Sequence, residues 1–560
     1  MMHWHLLDSS FPRALAYWGC DGVWLGLMAW CATRWLLRRA TIAPSWVPLA
    51  AGGYVALCGY GAFWLYFWAP LAGRIFSFSV LGLAVIANLR HRGKLTPAGR
   101  EAIIVACLQV CIGVFYLSLL YLFAAPAGFY DLASHRFMSL PSDNHLSHDV
   151  ADRLIHGTPL KPFIGNWLSS DRPPLQSGWQ LLTWPVTAAL GTEESLASGM
   201  SAIWFELLWI PAVYGLLRSL DLTVRKAAGW TLTVALSGFF LQHSIFTWPK
   251  LAAGAFVCGA YGCWALPVCR GSRRQACAAG AACAALGCLA HTGVAFSLLP
   301  LVPWIAWRSL RGEAGAWLLA GVVFAALLLP WAAYQRFYDP PGNRLIKWHL
   351  GGQAEVNSRT TWQTLRDGYR SKSWKQIAAD RWANVRVLFS GDIEHIGNFT
   401  RATAPNRRGE EFFNTARAFT WWAAGILALP FALLRLAARE RPGQQLRNCG
   451  ALAGWIVATF LVWCLLMFIP GQTVVHQGSF GSMIAGFALL SAWLELASPW
   501  SMRLIAALQA ATLFSTWVVP NGIVHGPLDP LALIAGAGAA TIIFAGIIAS
   551  SLKPSGRQFT

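Results

Sequence analysis

Apolar runs of about 20 residues recur along the whole chain, and this feature restricts what it can fold into. Each run is long enough to cross the hydrocarbon core of a bilayer, where backbone N–H and C=O groups must be paired internally. Of the 560 residues, 56% are hydrophobic and 12% charged, against about 25% charged in globular chains. The expected fold class is therefore an all-α polytopic membrane protein, with the lipid bilayer as its first partner. The formal charge of +19 does not collect on one patch. Its Lys and Arg residues fall between apolar runs, as the positive-inside rule places them, and no nucleic-acid partner is expected.

The leading spans read as Tyr17–Leu37, Trp46–Trp68 and Phe76–Leu89. The first ends in Arg34, Arg38 and Arg39, the third in Arg90, Arg92 and Lys94, with Arg100 following. Both clusters are expected at the cytoplasmic face. The fourth span, Ala102–Phe123, then delivers a polar loop, residues 126–197, to the far side, which in a bacterial inner membrane is the periplasm. Later runs follow the same rule: Ser198–Leu217, Ala228–Leu241, Leu251–Val268, Ala278–His291, Val294–Trp307 and Trp317–Tyr334. A second polar loop, 336–416, also falls outside. Phe419–Leu434, Leu452–Phe468, Met483–Leu496, Leu504–Val519 and Leu531–Leu552 complete the set, with Lys553 and Arg557 inside. Hydropathy thus gives about fifteen spans. They divide into three leading spans (1–100), a core carrying the first loop (101–335), the second loop (336–416) and the C-terminal spans (417–560).

Nearly all of the thirteen cysteines lie in apolar runs and the two long loops hold none, so neither an extracytoplasmic disulfide nor a Cys-ligated metal is expected. Met1 to Asp21 lacks the basic start and small-residue cleavage site of a signal peptide.

The first loop is where chemistry concentrates. From Pro141 to Trp179 it reads PSDNHLSHDVADRLIHGTPLKPFIGNWLSSDRPPLQSGW. Leu146, Val150 and Leu154, with Ala151 and Ile155 beside them, make one apolar stripe at helical spacing. Gly157 and Pro159 stop that helix. Its polar face carries His145, His148, Asp149, Asp152 and Arg153, so the expectation is an amphipathic juxtamembrane helix on the bilayer surface. Asp143 and Asn144 stand at its start. Asp171-Arg172-Pro173-Pro174-Leu175 follows as an extended approach, and Trp179 and Trp184 suit an interfacial belt.

This order resembles the first periplasmic loop of GT-C fold glycosyltransferases: Asp143-Asn144, a helix containing Ala151-Asp152-Arg153, Gly157, then Asp171-Arg172-Pro173-Pro174-Leu175. It is most similar to the branch of protein O-mannosyltransferases and lipid A aminoarabinose transferases. The motif-bearing likeness covers about 60 residues. In that branch a Glu usually stands where this chain has Asn144, and a Lys where it has Arg172. The resemblance implies a GT-C-like helical bundle. It also implies transfer of a sugar from a polyprenyl-phosphate donor to an outer-face acceptor, whether glycan, lipid or protein. Asp143 matches the catalytic Asp, a base or acceptor-orienting group; the competing reading is a plain N-cap for the following helix. Asp171 is a second catalytic candidate, or a structural partner of Arg172. Some such enzymes use a divalent cation and others do not, so metal use stays open.

A lipid-phosphate leaving group calls for fixed positive charge. Lys250, in Thr247-Trp248-Pro249-Lys250, sits at the outer end of a span, as a phosphate ligand or a snorkelling lysine. Arg344 and Lys347, three apart, are a candidate phosphate clamp or a solvated basic face. Asn144 and Arg172 are candidate substrate contacts. Glu206 is an intramembrane carboxylate, a functional candidate by type, with protonation or pairing as its structural alternative. His291 and His476 lie near outer ends of spans, as substrate contacts or packing residues. Neither a Walker A loop nor a Rossmann glycine pattern is present, which argues against a nucleotide-driven pump. Two other classes remain: a transporter or flippase of lipid-linked saccharides, which calls for internal repeats and paired mid-membrane charges, and an O-antigen polymerase or ligase-type enzyme.

Overall fold

The structure, a computed structural model, describes residues 10–90, 96–123, 128–137, 143–191, 194–389, 418–437, 442–470 and 475–552. Arg92, Lys94, Arg439, Arg441, Lys553, Arg557 and loop residues 390–417 lie outside the described residues, as does the side chain of His476.

The described chain is helical; β-pairing among these residues is confined to the isolated bridges Ile42–Cys269 and Phe123–Leu528. In chain order the helices are α1 Ser10–Arg39, α2 Val47–Trp68, α3 Pro70–Arg90, α4 Pro97–Tyr121, α5 Phe129–Phe137, α6 Leu146–His156, α7 Leu175–Leu190, α8 Glu194–Glu206, α9 Trp209–Ser219, α10 Val224–Val234, α11 Gly238–Ile245, α12 Lys250–Ala265 and α13 Arg273–Ala290. There follow α14 Ala295–Leu298, α15 Val302–Arg308, α16 Ala314–Ala333, α17 Arg344–Gly351, α18 Thr361–Arg370 and α19 Trp374–Phe389. The last are α20 Ala424–Ala437, α21 Pro442–Leu466, α22 Val475–Ala497, α23 Ser501–Leu513, α24 Val519–His525 and α25 Pro530–Ser551. Among the described residues, nine helical stretches are long and apolar enough to cross a membrane. The protein is therefore an all-α, multi-pass membrane protein.

Several expected spans differ in form, among them Ser198–Leu217, which is divided between α8 and α9. Ala228–Leu241 is divided into α10 and α11, because the Ser237 hydroxyl accepts from the Phe239 N–H at 3.3 Å and starts a new helix. Thr292–Tyr338 is one nearly continuous helical stretch, broken at Arg311–Gly312, where Gly312 takes φ 95°. That break separates the two runs read from hydropathy, Val294–Trp307 and Trp317–Tyr334.

One end of the bundle is tied by bonds between distant loops. Arg270 N donates to Thr41 O (2.8 Å) and Ala43 N to Val268 O (2.8 Å). Trp46 Nε1 donates to Ser219 Oγ (2.9 Å), and Asn448 Nδ2 to Ser219 O (3.1 Å). The basic residues expected on one side pair nearby with scarce acids: Arg218 with Glu101 at 2.8 Å, Lys226 with Glu495 at 2.8 Å and Arg273 with Glu313 at 2.9 Å. Helix α12 starts at Lys250 and rises about 24 Å to its other end, so Lys250 belongs to the opposite end of the bundle.

At that opposite end α2 and α7 cross at glycines. A Cβ on Gly178 would stand 2.2 Å from Gly59 O, so the backbones touch as in small-residue membrane packing. The crossing seats α7, and with it the Asp171–Leu175 segment that leads into it.

Candidate active site

The amphipathic helix read from the sequence is α6, and it ends at Gly157 in the left-handed conformation, φ 67°. Its environment differs from the expected bilayer surface. Leu146, Val150, Ala151, Leu154 and Ile155 are all buried against protein. Ser177 Oγ donates to Ser147 O (2.8 Å) and Arg74 Nη2 to Ile155 O (3.0 Å), fastening α6 to α7 and α3. The stripe is therefore covered by neighbouring helices. Trp179 likewise is core rather than belt: it is buried and donates to Ser201 O at 3.1 Å.

Asp143 does not cap α6. The N-cap position is His145, which makes no capping side-chain bond; its ring pairs with Asp149 instead, and that hydrogen bond raises the His145 pKa. This leaves the Asp143 carboxylate to other partners. Oδ2 is paired with the Arg172 guanidinium, and Oδ1 accepts the Trp248 indole N–H at 2.8 Å. Residues far apart in sequence, 143, 172 and 248, thus meet at one carboxylate.

The α11–α12 junction delivers Trp248. Thr247 adopts φ 58°, a left-handed backbone that costs a β-branched residue about 1–2 kcal/mol. Its carbonyl is held by Gln176 Nε2 at 2.7 Å. Lys250, the first residue of α12, is buried, and its Nζ lies 3.4 Å from the Trp248 ring centroid and 5.8 Å from that of Phe480. A desolvated ammonium over an indole face gains about 2 kcal/mol. Glu206, wholly buried, accepts the N–H groups of Leu251 (3.0 Å) and Ala252 (3.2 Å) through Oε2. It caps α12 and so fixes where Lys250 starts.

The second half of the site forms around Asp171 and Arg344. Asp171 Oδ2 accepts from the Leu168 N–H (3.0 Å) and from Arg344 Nη1 (2.8 Å). Burial pushes the Asp171 carboxyl upward, while the Leu168 N–H and the charges of Arg344 and Arg172 pull it back. Trp167 joins the halves, its ring centroid 4.8 Å from the Arg172 guanidinium carbon and 4.9 Å from that of Arg344. The segment is pinned to the second loop by Asp339, whose Oδ2 accepts from Ser169 Oγ (2.8 Å) and Ser170 N (2.9 Å).

Other candidates fall elsewhere. Lys347 Nζ donates to Asn357 O (3.0 Å), Asn357 Oδ1 (3.0 Å) and Arg359 O (3.1 Å). Its three protons are engaged in holding the turn after α17, so it does not clamp with Arg344. Asn144 is buried and points to Tyr130 O (3.4 Å), away from Asp143's partners. His291 Nδ1 accepts from the Gly293 N–H at 3.1 Å, which leaves Nε2 as the other ring position.

Trp167, Trp248, Asp339 and His349 are site residues that sequence reasoning did not single out. Burial, then the charge of Lys250, push the His349 imidazole down to about 4. The only available signal was the Thr-Trp-Pro-Lys run; for Asp339 and His349 the relation exists only in three dimensions.

A divalent cation does not fit the Asp143 donor set as arranged, with both oxygens taken by cationic or N–H donors and Lys250 adjacent. The one group of described His, Cys, Asp and Glu side chains with metal-like spacing is Asp152, His156 and Glu194, with ligand atoms within 4.8 Å of one another. It lies at the other end of α6, and its side chains are a third to a half exposed.

Comparison of the chain with family models, curated proteins and solved structures returned no match.

Proposed function

We propose that the chain is an integral-membrane glycosyltransferase of GT-C type, transferring a sugar from a polyprenyl-phosphate donor to an extracytoplasmic acceptor. The observation that carries this reading is the meeting of Asp143, Arg172, Trp248 and Lys250: one oriented carboxylate beside two cations, at the end of the bundle. The resemblance of the Asp143–Leu175 segment to the first loop of those enzymes supplies the reaction class.

The chemistry follows from these groups. The acceptor hydroxyl oxygen attacks the anomeric carbon and its proton passes to the Asp143 carboxylate. The bond from that carbon to the phosphate oxygen breaks, and polyprenyl phosphate leaves with the electron pair. Lys250 and Arg172 oppose the negative charge that develops on the phosphate. Trp248 and Arg172 hold the carboxylate in one orientation, and Glu206 fixes Lys250 through the start of α12. Arg344 and Asp171, across Trp167, border the acceptor side.

The test uses the full-length protein in lipid nanodiscs, offered a panel of polyprenyl-phosphate sugars and an envelope-derived acceptor mixture. The reading predicts release of polyprenyl phosphate with at least one donor, accompanied by a glycosylated product. Movement of intact donor between leaflets without cleavage would replace it with the flippase reading.

A further inference from the structure

The second loop carries an exposed aromatic and basic surface that the transferase reading does not use. Trp362 is 72% exposed, Trp374 85%, Trp382 63% and Phe389 69%. Large apolar side chains this exposed, and clustered on two consecutive helices, mark a contact surface. On α19, Lys375, Trp382, Arg386 and Phe389 fall on one stripe. The opposite stripe, with Asn384 and Leu388, is buried against Trp463, Cys464 and Met467.

That buried stripe fixes the depth of α19. Asn384 Nδ2 donates to the carbonyls of Cys464 (3.0 Å) and Met467 (2.9 Å), and Arg381 Nη1 also bonds Met467 O. Cys464 lies in the last turn of α21 and Met467 directly follows it, where carbonyls have no partner within the helix. Helix α21 is one of the candidate membrane spans, and its outward row includes Leu461 (54% exposed) and Leu465 (60%). Such a span ends at the boundary between acyl chains and headgroups. A helix bonded to its last carbonyls lies at that boundary, the depth at which indole rings partition most favourably.

We propose that α18 and α19 form a platform that binds anionic phospholipid. The indoles and Phe389 sit among the headgroups, and Arg370, Lys375 and Arg386, all exposed, contact lipid phosphates. Charge favours this occupant. Residues 359–386 hold seven basic residues and two acidic ones, and both acids are already paired, Asp367 with Arg366 and Asp380 with Lys372. This inference is independent of the transferase reading.

Photocrosslinking of the full-length protein in nanodiscs tests it. p-Benzoylphenylalanine is placed at position 374 or 382, with position 465 as a lipid-facing control, in phosphatidylcholine containing a minority of phosphatidylglycerol. Both loop positions are expected to yield phospholipid adducts, with phosphatidylglycerol over-represented about fivefold relative to its mole fraction, the partitioning that one basic residue near the surface gives. The enrichment is expected to vanish when Arg370→Gln, Lys375→Gln and Arg386→Gln are combined. Lipid adducts in simple proportion to composition would overturn the anionic preference. Adducts at 465 but none at 374 or 382, or adducts there to glycan or protein, would overturn the lipid platform itself.

Discussion

Trp248 donates its indole N–H to Asp143 Oδ1 across 2.8 Å, while the same ring lies under the Lys250 ammonium at 3.4 Å. One side chain thus positions both the carboxylate and the cation of the candidate site. Trp248→Phe keeps an aromatic face for Lys250 and removes the hydrogen bond. A bond to a charged acceptor contributes about 1.5–3 kcal/mol, so the unfolding midpoint is expected to drop, and sugar transfer to fall by about tenfold or more in the folded protein as Asp143 loses its orientation. Trp248→Leu, which also loses the ring face, is expected to fall further. Steady-state transfer rates for the two variants, beside their thermal midpoints, check this.

The crossing of α2 and α7 is sterically closed. Gly178→Ala would put a Cβ 2.2 Å from Gly59 O and 2.8 Å from Gly59 C, contacts with backbone that no rotamer change relieves. The expected cost is about 1–3 kcal/mol, read as a lower unfolding midpoint in detergent. Gly538→Ala, on α25 with open space around it, is the control and is expected to leave the midpoint unlowered, or slightly raised by the better helix propensity of alanine.

Asp339 joins the two outer loops. It is buried, and its carboxylate bonds Ser169 and Ser170. Asp339→Ala leaves the Ser170 N–H unpaired, at about 1–3 kcal/mol, while the Ser169 hydroxyl keeps its bond to the Tyr334 hydroxyl at 2.6 Å. Both stability and transfer are expected to drop, because the Asp171–Arg172 segment loses its anchor. Ser170→Ala, which removes only the bond from its hydroxyl to Asp339 O (3.1 Å), is expected to have a smaller effect on both.

His349 sets an acid limit. Its folded pKa, pushed down to about 4 from 6.5, means that between those values the unfolded chain binds a proton that the folded chain does not. Stability contributed by this group is therefore present above pH 6.5 and is lost as pH falls toward 4, by at most about 3 kcal/mol. The His349→Gln variant is expected to show a shallower decline of unfolding midpoint between pH 7 and 4.5. Parallel profiles for the two proteins would remove His349 from this role.

The parts legible in the sequence were those written in local patterns. The α6 stripe and its Gly157 stop are periodicity and chirality, and both are found at the expected residues. The membrane class rests on run length alone and was equally readable. What covers the α6 stripe was not, because an apolar face looks the same whether lipid or protein meets it. The division of α10 from α11 depends on a single Ser237 cap inside an apolar run, which hydropathy averages away. Asp143 stood out, but its partners Arg172 and Trp248 are set by how α7 and the α11–α12 junction pack. Glu206 stood out as an intramembrane charge, yet its bond to the start of α12 is a contact between residues 45 apart.

The most direct measurement compares wild-type protein with Asp143→Asn in nanodiscs, following release of polyprenyl phosphate from a competent donor. Asparagine keeps an oxygen for the Trp248 N–H and cannot take a proton from the acceptor. Release by the folded protein is expected to fall by about 100-fold or more, the scale of a lost general base, with the unfolding midpoint lowered by loss of the ion pair to Arg172. Equal release by the two proteins, both folded, would contradict the account and leave Asp143 as a structural partner of Arg172 and Trp248.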